Sequence, residues 1–278
     1  MDSRGSNRVT FRRRFYLSPH LDDAVLSCGG TVARQVLAGE WVTVVTVFAG
    51  DPGPAPLSSF AQRTHQAWGD PPRPYAVRRA EDRAALQRLG AGLLHLGFRE
   101  AIYRHDRQGE FLYTSDEALF GPPHPADDGV VDRLEAALRP AVCRLDPTML
   151  YVPLGVGRHV DHQLVGRAAR RLLSPPETAP QVWWYEDLPY ATGLFPPHDP
   201  DTVEQALARW GGDGWTASDE AIDLGPKMAA IACYVSQIAP LFGGWAAMRR
   251  AIEDYAASLS DVQAYSERFW QPDDEAIR

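Results

Sequence analysis

Apolar residues in this chain come in short bursts separated by polar or Gly/Pro-rich stretches. Phe15-Tyr16-Leu17 ends one burst and predicts a first strand. Val25, Val32, Val36 and Leu37 follow at helical spacing up to Gly39. Val42 to Phe48 is dense in β-branched residues and predicts a buried second strand, stopped by Gly50-Asp51-Pro52-Gly53-Pro54. A helix is then predicted over Arg78–Leu89, with Ala84, Ala85 and Leu89 inward and Gly90 as its stop. A strand over Leu93–Leu96, a helix over Val130–Leu145 and a strand over Met149–Val152 come next. A helix over Asp161–Leu173 stops before Pro175-Pro176, and Gln181–Tyr185 reads as a further strand. Two helices, about 226–238 and 246–259, close the pattern. The stretches near 50–75, 99–127 and 189–217 are rich in Gly, Pro and polar residues and read as long loops.

Strands alternating with helices imply right-handed βαβ units. The expected fold is α/β, a Rossmann-like, mostly parallel sheet with helices on both faces. There is no internal repeat, and residues 1–278 read as one domain with long loops. In open α/β sheets, sites form beyond the carboxyl ends of strands, so the residues just after each strand carry the functional question.

Composition narrows the classes. At 45% hydrophobic and 23% charged residues the chain is not disordered as a whole. A net charge of −8 and pI near 5.5 speak against duplex nucleic acid as a partner. The longest strongly apolar run, Trp41–Ala49, falls far short of the ~20 residues of a membrane span, so no membrane association is expected. Arg12-Arg13-Arg14 before Phe15 is not read as a twin-arginine signal, because Asp22 and Asp23 interrupt the apolar stretch such a signal needs. Cys28, Cys143 and Cys233 are scattered and odd in number, which suits a reducing, cytoplasmic setting. A homo-oligomer is compatible with the sequence but not readable from it.

Two clusters follow predicted strands: Ser18-Pro19-His20-Leu21-Asp22-Asp23 and Gly157-Arg158-His159-Val160-Asp161-His162. If the first and fourth strands are neighbours, these His and Asp residues converge. Imidazole plus carboxylate is a donor set for a borderline divalent ion. Three ligands would leave an open position and a spare group to act as a base. The alternative for either cluster alone is helix capping, by Asp22 in one and by His159 or Asp161 in the other. His20-x-Asp22 with His162 also matches a two-His-one-carboxylate iron triad, but that site is expected on a β-barrel rather than an α/β chain.

With His20-Leu21-Asp22-Asp23, Cys28-Gly29-Gly30-Thr31, Arg78-Arg79-Ala80-Glu81 and His159-Val160-Asp161-His162 together, the sequence resembles the PIG-L/LmbE-like zinc deacetylases. The resemblance covers roughly residues 14–185. It implies a metal-dependent hydrolase that removes an N-acetyl group from an amino sugar or amino-sugar conjugate. Zn2+ is the implied cofactor, with another divalent ion such as Fe2+ as the alternative, and the partner is a small N-acetylated molecule. By position, His20, Asp23 and His162 would hold the metal, Asp22 would be the general base and His159 would stabilise the oxyanion. Arg78 would contact substrate. The departures are Leu21 for the commoner Pro, Ala24 for Glu and Val160 for Pro; all the ligand-type residues remain. The alternatives are a metal-dependent hydratase or other amidase on the same site and, more distantly, a non-catalytic binding protein.

Further expectations concern single residues. Asp161 is expected to fix one of the imidazoles from behind. Glu100 is expected to bind a sugar hydroxyl, to contact Arg78, or to be a solvated loop carboxylate. Glu186 and Asp187, after Trp183-Trp184-Tyr185, are expected at a substrate rim, with one of the two tryptophans in the core. Gly29 and Gly30 would either let their helix pack closely or break it. Lys227, Ser236 and Gln237 read as structural and Cys28 as an inert buried thiol. His65, His95, His105, His124 and His198 read as ordinary core or surface histidines.

Overall fold

The computed structural model describes residues 12–54, 56–173, 180–196, 201–211, 214–260 and 264–273. Pro175-Pro176, His198 and the residues before Arg12 lie outside them. Seven strands form one sheet in the order β3-β2-β1-β4-β5-β7-β6. They are β1 (Arg13–Ser18), β2 (Trp41–Thr46), β3 (Gly92–His95), β4 (Met149–Pro153), β5 (Gln181–Tyr185), β6 (Trp215–Ile222) and β7 (Tyr265–Pro272). The first five are parallel, and β7 runs antiparallel to both β5 and β6.

Period-two alternation splits the core between the two faces. From β1, Phe15 and Leu17 point with Leu150 and Val152 toward α5 (Asp128–Leu145) and α6 (Val160–Leu172). Tyr16, Val42, Val44 and Tyr151 face α1 (Asp23–Leu37), α3 (Pro74–Leu89), α8 (Leu224–Ile231) and α10 (Trp245–Ser258). The phenols on that face are satisfied. Tyr16 stacks on Tyr151 at 4.1 Å and donates to Gln35 Oε1 at 2.9 Å, and Gln35 Nε2 donates to the Tyr151 hydroxyl at 2.8 Å.

The order of strands fixes where a site can form. The chain runs outward from β1 to β2 and β3, then returns to place β4 on the other side of β1. Direction therefore reverses between β1 and β4. Their carboxyl ends flank the crevice where open α/β sheets bind ligands.

Five sequence expectations need correction. The stretch read as a loop near 50–75 contains α2 (Ser59–Ala67), capped by the Ser58 side chain accepting from the Ala61 N–H. The stretch near 189–217 holds α7 (Val203–Arg209) and the start of β6. The helix expected over 226–238 is two helices, α8 and α9 (Val235–Phe242). Strands β6 and β7 were not anticipated. Ala84, expected to face inward on α3, is exposed, and Leu86 takes a buried place there.

Helix α1 runs unbroken through Gly29 and Gly30. A Cβ at Gly30 would stand 2.7 Å from Ile222 Cβ and Cδ1 on β6, so a larger residue cannot fit without moving the strand. Beside it, Lys227 Nζ donates to Glu267 Oε1 at 2.7 Å, and Glu267 also accepts from the Gly30 and Thr31 N–H groups. Both side chains are buried, so this ion pair ties α8 and β7 to α1. Gly30→Ala is expected to destabilise the chain by about 1–3 kcal/mol through overpacking, read as a lower midpoint in urea. An unchanged midpoint would mean that β6 yields freely.

Candidate active site

The turn after β1 is built around the Asp23 carboxylate. Asp23 Oδ2 accepts from the His20 backbone N–H at 2.7 Å, and Ser18 Oγ accepts from the Ala24 N–H at 3.0 Å. Asp22 stands at the N-cap position of α1, yet its side chain makes no capping bond. His159 does cap α6, its Nδ1 accepting from the Asp161 N–H at 3.2 Å.

These turns bring the two clusters together. Asp23 Oδ2 lies 3.2 Å from His20 Nδ1 and 3.2 Å from His162 Nε2. Donor atoms held about 2.0–2.2 Å from a tetrahedral ion are about 3.3–3.6 Å apart, so Asp23 stands at about that spacing from each imidazole. His162 Nε2 is buried without a hydrogen-bond partner among the described residues, as a ligating nitrogen would be before metal binds. A second donor set shares two members: one ligand atom each of His20, His159 and His162 lies within 4.8 Å of the others. His159 already spends Nδ1 on its helix cap and has only Nε2 to offer. The residues on hand fit a divalent ion, with His20 and His162 common to both sets.

Carboxylates stand behind the imidazoles, the usual arrangement that orients metal-binding histidines. Asp161 Oδ2 is 3.0 Å from His20 Nε2, as the sequence suggested. Arg104 Nη1 donates to Asp161 Oδ1 at 2.5 Å. Burial works against the charged form of Asp161, but Arg104 and His20 hold its carboxyl well below the usual range. Asp187 Oδ1 lies 2.6 Å from His162 Nδ1, while its other oxygen accepts from the Gly155 and Val156 N–H groups. Asp187 is fully buried. Its burial places it behind His162 and not at an exposed rim. Asp187→Asn is expected to weaken metal affinity about 10–100-fold, read by competition with a chelating dye. Unchanged affinity would detach Asp187 from the site.

Glu186, the other residue expected at a substrate rim, points elsewhere. Its carboxylate accepts from the Trp270 indole N–H at 2.8 Å and from the Tyr255 hydroxyl. Successive side chains beyond β5 project to opposite sides, so Asp187 reaches the metal cluster and Glu186 the α10–β7 side. Trp184 is core, packed on Trp210 at 4.9 Å, and Trp183 lies beside Phe269.

Arg78 is buried beside Asp22. Its Nη1 donates to Glu100 Oε1 at 2.5 Å, and its Nη2 is 3.7 Å from Asp22 Oδ1. The guanidinium lies over Trp68 at 4.7 Å and Tyr75 at 5.5 Å. Glu100 thus contacts Arg78, one of the three readings open for it, and is buried rather than solvated. Burial pushes the Asp22 carboxyl up to about 7, against the pull of Arg78 and with the repulsion of Asp23. A carboxylate poised near neutrality suits general-base work. His159 is driven the other way: burial and the neighbouring His20 keep it neutral. With Nδ1 an acceptor, the neutral ring carries its proton on Nε2.

The sequence did not reveal an aromatic wall beside these groups. Phe120 lies 5.4 Å from the His159 ring, Tyr190 lies 5.4 Å from His162, and Phe195 packs on both aromatics. The loop must approach Tyr190 closely at Gly157, whose φ is +84° and whose Cβ would fall 2.4 Å from the ring. Phe120, Tyr190 and Phe195 sit in the Gly/Pro-rich stretches near 99–127 and 189–217, with no periodic signal.

Residues 15–173 match the PIG-L family, described as GlcNAc-PI de-N-acetylase. A 2'-N-acetylparomamine deacetylase from Niallia circulans is 29% identical, over 84% of this chain and 83% of that protein. One of the same name from Streptomyces fradiae is 34% identical over 66% of this chain and 60% of its own length. Among solved structures, the zinc-inhibited form of teicoplanin deacetylase Orf2 superposes with a TM-score of 0.78 at 29% identity, covering 95% of this chain and 99% of that one.

Proposed function

The chain belongs to the PIG-L family of de-N-acetylases, and we propose that it hydrolyses the N-acetyl group of an amino sugar within a larger conjugate, using zinc held by His20, Asp23 and His162. The observation that carries this reading is Asp23 Oδ2 at 3.2 Å from both His20 Nδ1 and His162 Nε2, with Asp22 beside them. The paromamine and teicoplanin deacetylases it resembles point to acetylated aminoglycoside or glycopeptide sugars as the first substrates to try.

An amide carbonyl is a poor electrophile. A divalent ion in this site supplies Lewis-acid polarisation of the carbonyl and acidifies a water. Asp22 takes the proton of the attacking water and returns it to the departing amine. Arg78 holds that carboxylate in place, itself fixed by Glu100 and by the faces of Trp68 and Tyr75. His159 offers its Nε2 proton to the oxygen of the tetrahedral intermediate, where negative charge develops. Asp161 and Asp187 keep His20 and His162 oriented. Phe120, Tyr190 and Phe195 give the sugar ring an apolar surface.

The single sheet draws strands from both Arg13–Ser18 and Tyr265–Pro272, which supports reading the chain as one domain. Among the described residues no helix is long and apolar enough to cross a membrane. All three cysteines are free, which supports a cytoplasmic setting.

The test is acetate release by the zinc-loaded chain from N-acetylparomamine, an acetylglucosaminyl glycopeptide and simple N-acetylglucosaminides. Release from at least one conjugated substrate is expected. Consumption of a substrate without acetate would favour hydration or another amidase reaction; no turnover of any would remove this reading.

A further inference from the structure

Apart from the metal cluster, a cleft of about 860 Å³ opens between the segment after β3 and the start of α5. That is the size of a small-molecule site. Arg99, Arg104, Arg107 and Arg133 line it, together with Phe48 and Tyr103. This concentration of cations stands in a chain of net charge −8. The acidic residues of the lining are already engaged. Asp106 Oδ1 accepts from the Gln108 and Glu110 N–H groups at 2.8 and 2.9 Å. Asp127 Oδ2 accepts from Arg104 Nε and the Tyr113 hydroxyl, both at 2.8 Å. The exposed side chains of Arg99, Arg107 and Arg133 have no ionic or hydrogen-bond partner among the described residues.

Arg104 adds an independent observation. Its Nε and Nη1 are committed to Asp127 and Asp161, but Nη2 is buried with no hydrogen-bond partner among the described residues. An unmet donor on a buried guanidinium is costly, and Arg104 also lines the cleft, so a modest shift of the guanidinium would bring that donor to a ligand oxygen. Three free guanidinium forks around the same cleft match a phosphate, with its double charge and three oxygens, better than a lone carboxylate. Phe48 separates the cleft from the catalytic groups, its ring 6.2 Å from that of His20 and 5.3 Å from the Arg104 guanidinium.

We propose that this arginine-lined cleft binds a small phosphate-bearing molecule, at a site distinct from the one that takes the acetylated sugar. Arg99, Arg107 and Arg133 supply the charge at its mouth, Arg104 the buried donor at its wall, and Phe48 and Tyr103 the apolar surface.

Calorimetric titration of the metal-loaded full chain with inorganic phosphate and with ADP tests this. Binding at about 1 mM or tighter is expected for at least one probe. A variant carrying Arg107→Glu and Arg133→Glu should lose at least about tenfold in affinity, whereas Asp22→Asn should bind like the wild type. Both arginines are exposed, so the double variant should melt as the wild type does; Arg107→Gln with Arg133→Gln replaces it if it does not. Equal binding of the two probes would identify free phosphate as sufficient, and tighter ADP binding would identify an organic phosphate; either supports the proposal. No binding of either probe would overturn it. Binding that is unchanged in the arginine variants, or that disappears only when the metal is removed, would do so as well.

Discussion

Asp22→Asn is expected to lower turnover about 10²–10⁴-fold while leaving the metal in place. The substitution keeps the size of the side chain and removes its basicity. Asp22 touches neither imidazole in the way Asp23 does, and it makes no capping bond that the fold would miss. Its nearest charged partner is Arg78, itself anchored on Glu100. Acetate release against metal content separates the effects. Lost activity with full metal occupancy is expected. Lost metal would instead mean that the two aspartates have exchanged roles.

His162→Ala is expected to empty the site, with occupancy falling from about one ion per chain to near zero, and activity falling with it. His162 is fully buried, with Asp187 on one nitrogen and Asp23 facing the other. Removing it leaves two carboxylates facing a void, and added metal should not restore the site. Asp23→Ala should behave alike. His159→Ala should differ: it removes an α6 cap and the proposed oxyanion donor, so turnover falls while the ion stays. Metal analysis of the three variants reads the distinction, and an ion retained in His162→Ala would refute the ligand set.

Much of the site could be read in the sequence because each half of it lies in one short segment. His20, Asp22 and Asp23 share a turn after β1, and His159, Asp161 and His162 share the start of α6. One assumption, that β1 and β4 are neighbours, joins the halves, and the reversal of strand order makes them so. Asp187 was harder. It lies 25 residues from His162 and becomes its partner only because β5 pairs with β4. Local pattern marked it as acidic after a strand, but not which way it points. Glu186 misled for the same reason, since one step along the chain turns the side chain to the opposite side.

Strands β6 and β7 escaped because their pattern is not apolar. Trp215–Ile222 carries Asp219 and Glu220, and its partner strand carries Glu267 and Arg268. Those charges find each other only across the ladder: Arg268 Nε donates to Asp219 Oδ1 at 2.6 Å, and Glu267 turns inward to Lys227. Helix α2 was hidden similarly. Only Ala61 and His65 among its nine residues are buried, too few for a periodic apolar face. The five parallel strands and the helices that cover them were legible because burial on both faces forces continuous apolar runs.

Anomalous X-ray diffraction from crystals of the zinc-loaded chain tests the centre most directly. One ion is expected, about 2.0–2.2 Å from His20 Nδ1, Asp23 Oδ2 and His162 Nε2, with the Asp22 carboxylate beside it and unligated. An ion bound by His20, His159 and His162 with Asp23 displaced, or no anomalous peak between the two clusters, would contradict it.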